Sequence, residues 1–200
     1  MKKHRKFKEQ KEKPKKFSKQ VIYTLIIASL MVFSIVGFTL SNSEQSTENY
    51  KDQKFKLSGQ KWITKIDGQE FSFYYLPSEV EYIQTNGLTD LKNLKMLYLT
   101  FNPNQKYLQA IDLARFDLTN DLISLGIYPV PATNIETDQY ELQVITCLNS
   151  TGSVPVIEFR ESDKTEVSLE NSCIILKSDS ERNFIKLKDL IIYKIIGIIE

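Results

Sequence analysis

Between Lys19 and Glu44 no residue carries a charge. Within that gap residues 21–40 read VIYTLIIASLMVFSIVGFTL, an apolar run broken only by Thr24, Ser29, Ser34, Gly37 and Thr39. At 1.5 Å per residue a helix of this length is about 30 Å long, the thickness of a bilayer's hydrocarbon core. The hydroxyls in the run can return to the helix's own carbonyls, so they cost little there. One such span near the start of a 200-residue chain predicts a short tail on one side of a membrane and a globular domain on the other.

Charge sets the direction. Residues 1–20 hold ten basic side chains against Glu9 and Glu12, a net +8, while residues 41–60 are neutral. The positive-inside rule then keeps the N-terminus in the cytoplasm and puts everything beyond the span outside, a single-pass signal-anchor in the cell membrane. The tail has no apolar face, and its lysines also suit anionic lipid headgroups. A cleaved signal peptide is the competing reading, with Ser41 and Ser43 as small residues near a cleavage point. The apolar run and the basic region are both longer than such a peptide needs. The whole chain has a net charge of +1, so residues 61–200 carry −7. That balance makes nucleic acid a poor partner for the outer domain, because phosphate binding depends on Lys and Arg.

Residues 41–58 (SNSEQSTENYKDQKFKLS) are polar with no apolar period and read as a tether, so the folded domain is expected over 59–200. Asp67-Gly68 between the β-rich runs 61–66 and 69–76 predicts a two-residue hairpin, since that turn needs positive φ at both central positions. Phe71, Phe73 and Tyr75 alternate along the second run; the aromatic face is core or, if exposed, a contact surface. Ser78 and Glu81 resemble a capping box for a short helix through Ile83. Short apolar runs at 95–101, 127–130, 143–147, 154–160 and 173–177 predict strands. Tyr107, Leu108, Ile111, Ala114, Leu118, Leu122 and Leu125 recur at helical spacing, with Gly126 where a C-cap belongs. A closing helix is expected from Phe184 toward Ile199, its apolar residues at 184, 187, 191, 195 and 198.

The only histidine is His4. The outer domain therefore lacks a histidine base, a Ser-His-Asp triad or a histidine metal ligand. No Gly-rich phosphate loop occurs. Asp112, Asp117 and Asp121 share the long helix with Arg115 and read as a solvated face. No catalytic, cofactor-binding or metal-binding residue is assigned on these grounds. Cys147 and Cys173 both fall on the outer side, where disulfides persist. They are not a Cys-x-x-Cys pair, and a structural disulfide and two separate buried thiols are both open. Asn149-Ser150-Thr151 is a glycosylation sequon in an expected turn.

From Lys95 onward the expected order is strand, helix, strand, then 154–159 (VPVIEF), a strand pair and a closing helix. This resembles a thioredoxin-like layout, in which a proline, usually cis, opens the strand after the second helix; Pro155 is in a comparable place. The family's redox cysteines belong in the turn after the first strand, which here reads Thr100-Phe101-Asn102-Pro103-Asn104. The resemblance thus implies a binding role without the oxidoreductase chemistry. It also puts the strands bearing Cys147 and Cys173 at opposite sheet edges, about 14 Å apart at about 4.8 Å per strand. A disulfide allows only about 7 Å between Cα atoms. The phrases Ile145-Thr146-Cys147, Val154-Pro155-Val156-Ile157, Cys173-Ile174, and Asp189-Leu190 through Tyr193 and Gly197-Ile198 are similar to uncharacterised single-span archaeal membrane proteins. That resemblance carries no function with it.

The expectation is one N-terminal transmembrane helix and a single mixed-sheet α/β domain outside the membrane. Its role would be a non-catalytic binding or scaffold module with an envelope protein as partner. The alternative is a thioredoxin-like thiol-active or chaperone-like protein at the cell surface, using Cys147 or Cys173.

Overall fold

The structure, a computed structural model, describes residues 18–41, 46–86, 91 and 93–199. The chain divides into two compact units after Gln45. The basic tail expected over 1–20 lies outside the described residues except for its last three. In the first unit α1 (Lys19–Ser41) covers the uncharged run. Its stretch Lys19–Gly37 has a mean hydropathy of 2.1 and is long and apolar enough to cross a membrane, a property a signal sequence near an N-terminus shares. Thr24 returns its hydroxyl to the carbonyl of Gln20 at 3.0 Å, which satisfies it without water.

The second unit opens with an antiparallel meander: β1 (Thr47–Tyr50), β2 (Gln53–Ser58), β3 (Lys61–Ile66) and β4 (Gln69–Phe73). The Asp67-Gly68 turn between β3 and β4 has φ of 51° and 83°, the left-handed pair its sequence predicts. The tether expected over 41–58 is corrected here, because residues 47–58 form β1 and β2 and the folded unit begins at Ser46 rather than at 59. The cause is Phe55. It is fully buried while Lys54 and Lys56 beside it face water, so one ring fixes which face of the strand turns inward. Phe71 and Phe73 are buried on the same sheet and Tyr75 is half-buried against the core, so this aromatic face is packing and not a contact surface.

The second sheet has six strands: β5 (Thr85–Asn86), β6 (Met96–Phe101), β7 (Tyr128–Pro131), β8 (Val156–Glu161), β9 (Glu166–Glu170) and β10 (Cys173–Ser178). Their spatial order is β5-β9-β10-β8-β6-β7. β7, β6, β8 and β10 are parallel neighbours, and β9 runs antiparallel to β10. α2 (Leu108–Ser124) links β6 to β7, with Gly126 at φ 77° ending it, and α3 (Glu181–Ile195) closes the fold. α3 lies between the two sheets. Its Tyr193 stacks on Phe73 at 4.0 Å and meets Phe55 edge-on at 6.1 Å, while its Phe184 lies 6.3 Å from Phe159 of β8. A helix touching sheets on two sides needs apolar residues nearly all round, which explains the isoleucine-rich sequence of α3.

Charges also sit between these layers. Asp117 and Asp121, expected on a solvated face, turn inward instead: Lys61 of β3 reaches Asp117 at 3.2 Å and Lys188 of α3 lies 3.2 Å from Asp121. Lys188 is also 2.7 Å from Asp189, and both are almost wholly buried. The other oxygen of Asp189 accepts the amides of Tyr74 and Tyr75 at 2.9 Å each, and Tyr193 donates to the Tyr75 carbonyl at 2.7 Å. The buried acid thereby holds the chain where it leaves β4. Asp112 is engaged too, at 2.8 Å from Arg115 and accepting the Tyr140 hydroxyl.

Other expectations change in detail. The helix expected through Ile83 is one 3-10 turn at Pro77–Glu79, and the capping carboxylate is Glu79, which accepts the Leu76 amide at 2.8 Å. The strand expected at 143–147 is absent; Val144 makes an isolated bridge to Thr133, and Cys147 opens a 3-10 turn. β9 arises in a stretch that reads as polar. The thioredoxin-like order is not followed at three points. No second helix stands between β7 and β8, the peptide before Pro155 is not cis, and the two cysteines are not at opposite edges.

Candidate functional site

The chain leaves β6 through α2 to β7 on one side, then returns across β6 to β8 on the other. The connections therefore diverge between the carboxyl ends of β6 and β8, and open α/β sheets place ligands at such switch points. A cavity of about 270 Å³ lies there, lined by Asn102, Gln105, Asn134, Glu158, Phe159, Arg160 and Glu161. All but Phe159 offer a polar side chain.

Local sequence builds the rim. Asn102-Pro103-Asn104 stops β6, and the Asn102 side chain accepts the Asn104 amide at 2.9 Å in an Asx turn. That turn delivers Gln105 to the end of β8. Gln105 donates to the carbonyls of Asn102 (3.2 Å) and Phe159 (3.0 Å) and accepts the Glu161 amide. Glu161 in turn accepts the Lys106 amide at 3.1 Å. The side-chain amide of Gln105 thus pins the loop before α2 to the last residues of β8.

Glu158 and Arg160 form the charged part of the cavity. Alternation along β8 sends Ile157 and Phe159 toward the helices and leaves Val156 and Glu158 on the opposite face. Glu158 is buried, and its Oε1 takes the Arg160 Nε–H at 2.9 Å and Asn134 Nδ2 at 3.4 Å. Hydrogen bonding to Glu158 holds the Arg160 guanidinium above its ordinary pKa, so Arg160 keeps its charge. Asn134 Oδ1 is buried with no hydrogen-bond partner, and so is the hydroxyl of neighbouring Thr133. A buried acceptor without a donor is uncommon in a folded protein.

Beside this cavity the segment 132–155 crosses the outer face of the sheet. Thr100 donates to the Ile145 carbonyl at 2.7 Å, and the Ser150 hydroxyl accepts the Val156 amide at 2.9 Å while donating to Ser172 at 2.7 Å. Cys147, on that segment, is bonded to Cys173 on β10, with 5.2 Å between their Cα atoms. Cys147 lies over the sheet and not in it, which is why the edge-to-edge distance expected from strand order does not apply. Glu158 Oε2 is 3.0 Å from Cys147 Sγ.

The structure thus brings Cys147 and Cys173 together and sets Asn149 beside them, exposed in the turn Cys147–Asn149, its Oδ1 accepting the Thr146 amide at 2.9 Å. Phe71 and Phe73 belong to the other sheet's core. Sequence reasoning missed Asn102, Gln105, Asn134, Glu158 and Arg160. The available signal was Glu158, a charge inside the otherwise buried run VPVIEF. No protein-family model, curated protein or solved structure matches this chain.

Proposed function

We propose that the chain is a membrane-anchored binding module whose domain lies outside the cell membrane and takes a small polar ligand in the cavity between β6 and β8. The observation that carries this reading is the cavity itself. It sits at the switch point of the sheet and combines the Glu158–Arg160 pair with an unpartnered acceptor on Asn134. Its volume is below that of drug-sized pockets, which suits a compact molecule with hydrogen-bond donors and one or two charges. The apolar stretch 21–40 serves as the anchor, the basic tail faces the cytoplasm, and an envelope protein completes the assembly as partner. The Cys147–Cys173 disulfide supports an oxidising compartment. Cys173 is wholly buried, which favours a structural bridge over thiol exchange.

The test is a thermal-shift screen of the full-length chain in detergent against small polar amines, acids and amides. A ligand of this cavity raises Tm, and Asn134→Leu, which fills the cavity with an apolar side chain, removes the shift. A shift that survives Asn134→Leu, or a screen in which no compound moves Tm, counts against the reading.

A further inference from the structure

We propose that Cys147, Cys173 and Glu158 form a binding site for a thiophilic divalent cation, zinc being the type, once the disulfide is reduced. This rests on side-chain geometry at the outer face of the sheet; it shares Glu158 with the neighbouring cavity but does not depend on the ligand proposed there.

The two sulfurs and a carboxylate oxygen of Glu158 all lie within 4.8 Å of one another. That is close to twice a zinc–sulfur bond of about 2.3 Å, so one ion placed among them reaches all three. Two donors are rigid: Glu158 and Cys173 sit on the parallel neighbours β8 and β10, with Cys173 opposite Val156 and Glu158 opposite Ile175. The third is adjustable: Cys147 opens a 3-10 turn that belongs to no strand, and near it the segment is tied to the sheet by the side-chain bonds of Thr100 to Ile145 and of Ser150 to Ser172, so it can part from Cys173 without disturbing a strand.

Charge favours the ion. Two thiolates and a carboxylate bring three negative charges into a buried place, which is costly unless offset. Arg160, 2.9 Å from Glu158, offsets one, and a divalent cation offsets the other two. Two sulfurs with one or two oxygens select zinc or cobalt over magnesium or calcium, which prefer all-oxygen shells.

A phosphine reductant attacks the disulfide, the S–S bond breaks, water supplies the oxygen of the phosphine oxide, and two thiols form. Binding of the cation then releases both thiol protons, and the metal bonds replace the bond that was lost. The same trio therefore has two exclusive states, a disulfide or a metal site.

The test uses the full-length chain in detergent, reduced by a phosphine without oxygen and titrated with Co²⁺ as a spectroscopic substitute for Zn²⁺. The chain has two cysteines, so a thiolate-to-cobalt charge-transfer band can arise only from them. The expected result is one Co²⁺ per reduced chain, displaced by Zn²⁺, with no band in the oxidised chain. Cys147→Ser should weaken the band and Co²⁺ binding strongly, and Glu158→Gln, which keeps shape but loses the charge, should weaken Co²⁺ binding at least about tenfold, since losing a direct ligand costs no less than losing the outer-shell partner that orients one. Circular dichroism runs in parallel: a reduced chain that loses structure and regains it with Zn²⁺ also supports the site. A reduced chain that stays folded without a band, one that unfolds and is not rescued by metal, or binding unchanged in Glu158→Gln each overturns it.

Discussion

Phe55→Ala tests the hairpin that opens the folded unit at its N-terminal end. Phe55 is completely buried, 6.5 Å edge-on from Phe73 and 6.1 Å from Tyr193. Truncating a buried Phe removes its transfer free energy and leaves a cavity, together about 3–5 kcal/mol. A unit of this size loses roughly 2–4 °C of Tm per kcal/mol, so the expected fall is about 6–20 °C. The chain's single tryptophan, Trp62, reports the same sheet, because β3 pairs with β2 through Leu57 opposite Trp62. Urea unfolding followed by Trp62 fluorescence gives the difference directly, with Lys54→Ala and Lys56→Ala as exposed controls that should move stability by less than about 0.5 kcal/mol. If Phe55→Ala behaves like these controls, residues 47–58 act as a tether and the packing reasoning fails.

The domain boundary gives a second outcome: a chain starting at Ser46 should be soluble and monodisperse by size-exclusion chromatography, whereas one starting at Gly59 loses β1, β2 and Phe55 and should aggregate. Burial pushes the Asp189 carboxyl up to about 6, against the lowering effect of Lys188 and of the Tyr75 and Tyr74 amides. The folded state therefore holds this proton more tightly than the unfolded one. The stability it contributes is present below about pH 4 and lost as pH rises through about 6. Urea midpoints should accordingly fall more between pH 4.5 and 7 for the wild type than for Asp189→Asn, which cannot titrate; equal pH dependence contradicts the assignment. Reducing the Cys147–Cys173 bridge in metal-free buffer opens a loop with a sequence separation of 26 residues, a loss of about 3.5 kcal/mol on the loop-entropy model, read as a lower urea midpoint with a steeper slope as the unfolded chain expands.

The elements that sequence reveals are those whose own residues carry the pattern. Asp67-Gly68 specifies its turn by φ alone, and the 108–124 helix shows a long apolar stripe ending at Gly126. The hidden elements depend on partners far along the chain. β2 has one fully buried residue among lysines, so Phe55 means little until Tyr193 is known to face it. β9 alternates Val167 and Leu169 with Glu166, Ser168 and Glu170, too short a period to stand out from a polar loop, and the Asn171-Ser172 turn with φ of 49° and 68° lacks the glycine that usually announces such a turn. Asp117 and Asp121 look solvated until Lys61 and Lys188 arrive from other elements. The cavity was the least legible feature, because Asn102, Gln105, Asn134 and Glu158 meet only through the crossing of β6 by the return to β8. The cysteines were visible, but their pairing depended on Cys147 leaving the sheet.

The central proposal is that the folded domain stands outside a membrane crossed once near the N-terminus. Labelling intact cells with a membrane-impermeant amine reagent, followed by peptide mass spectrometry, tests it most directly. The account predicts that the exposed Lys54, Lys56 and Lys65 are modified on intact cells, whereas Lys2, Lys3, Lys6 and Lys8 are modified only after permeabilisation. Protection of Lys54, Lys56 and Lys65 until the membrane is opened would contradict it.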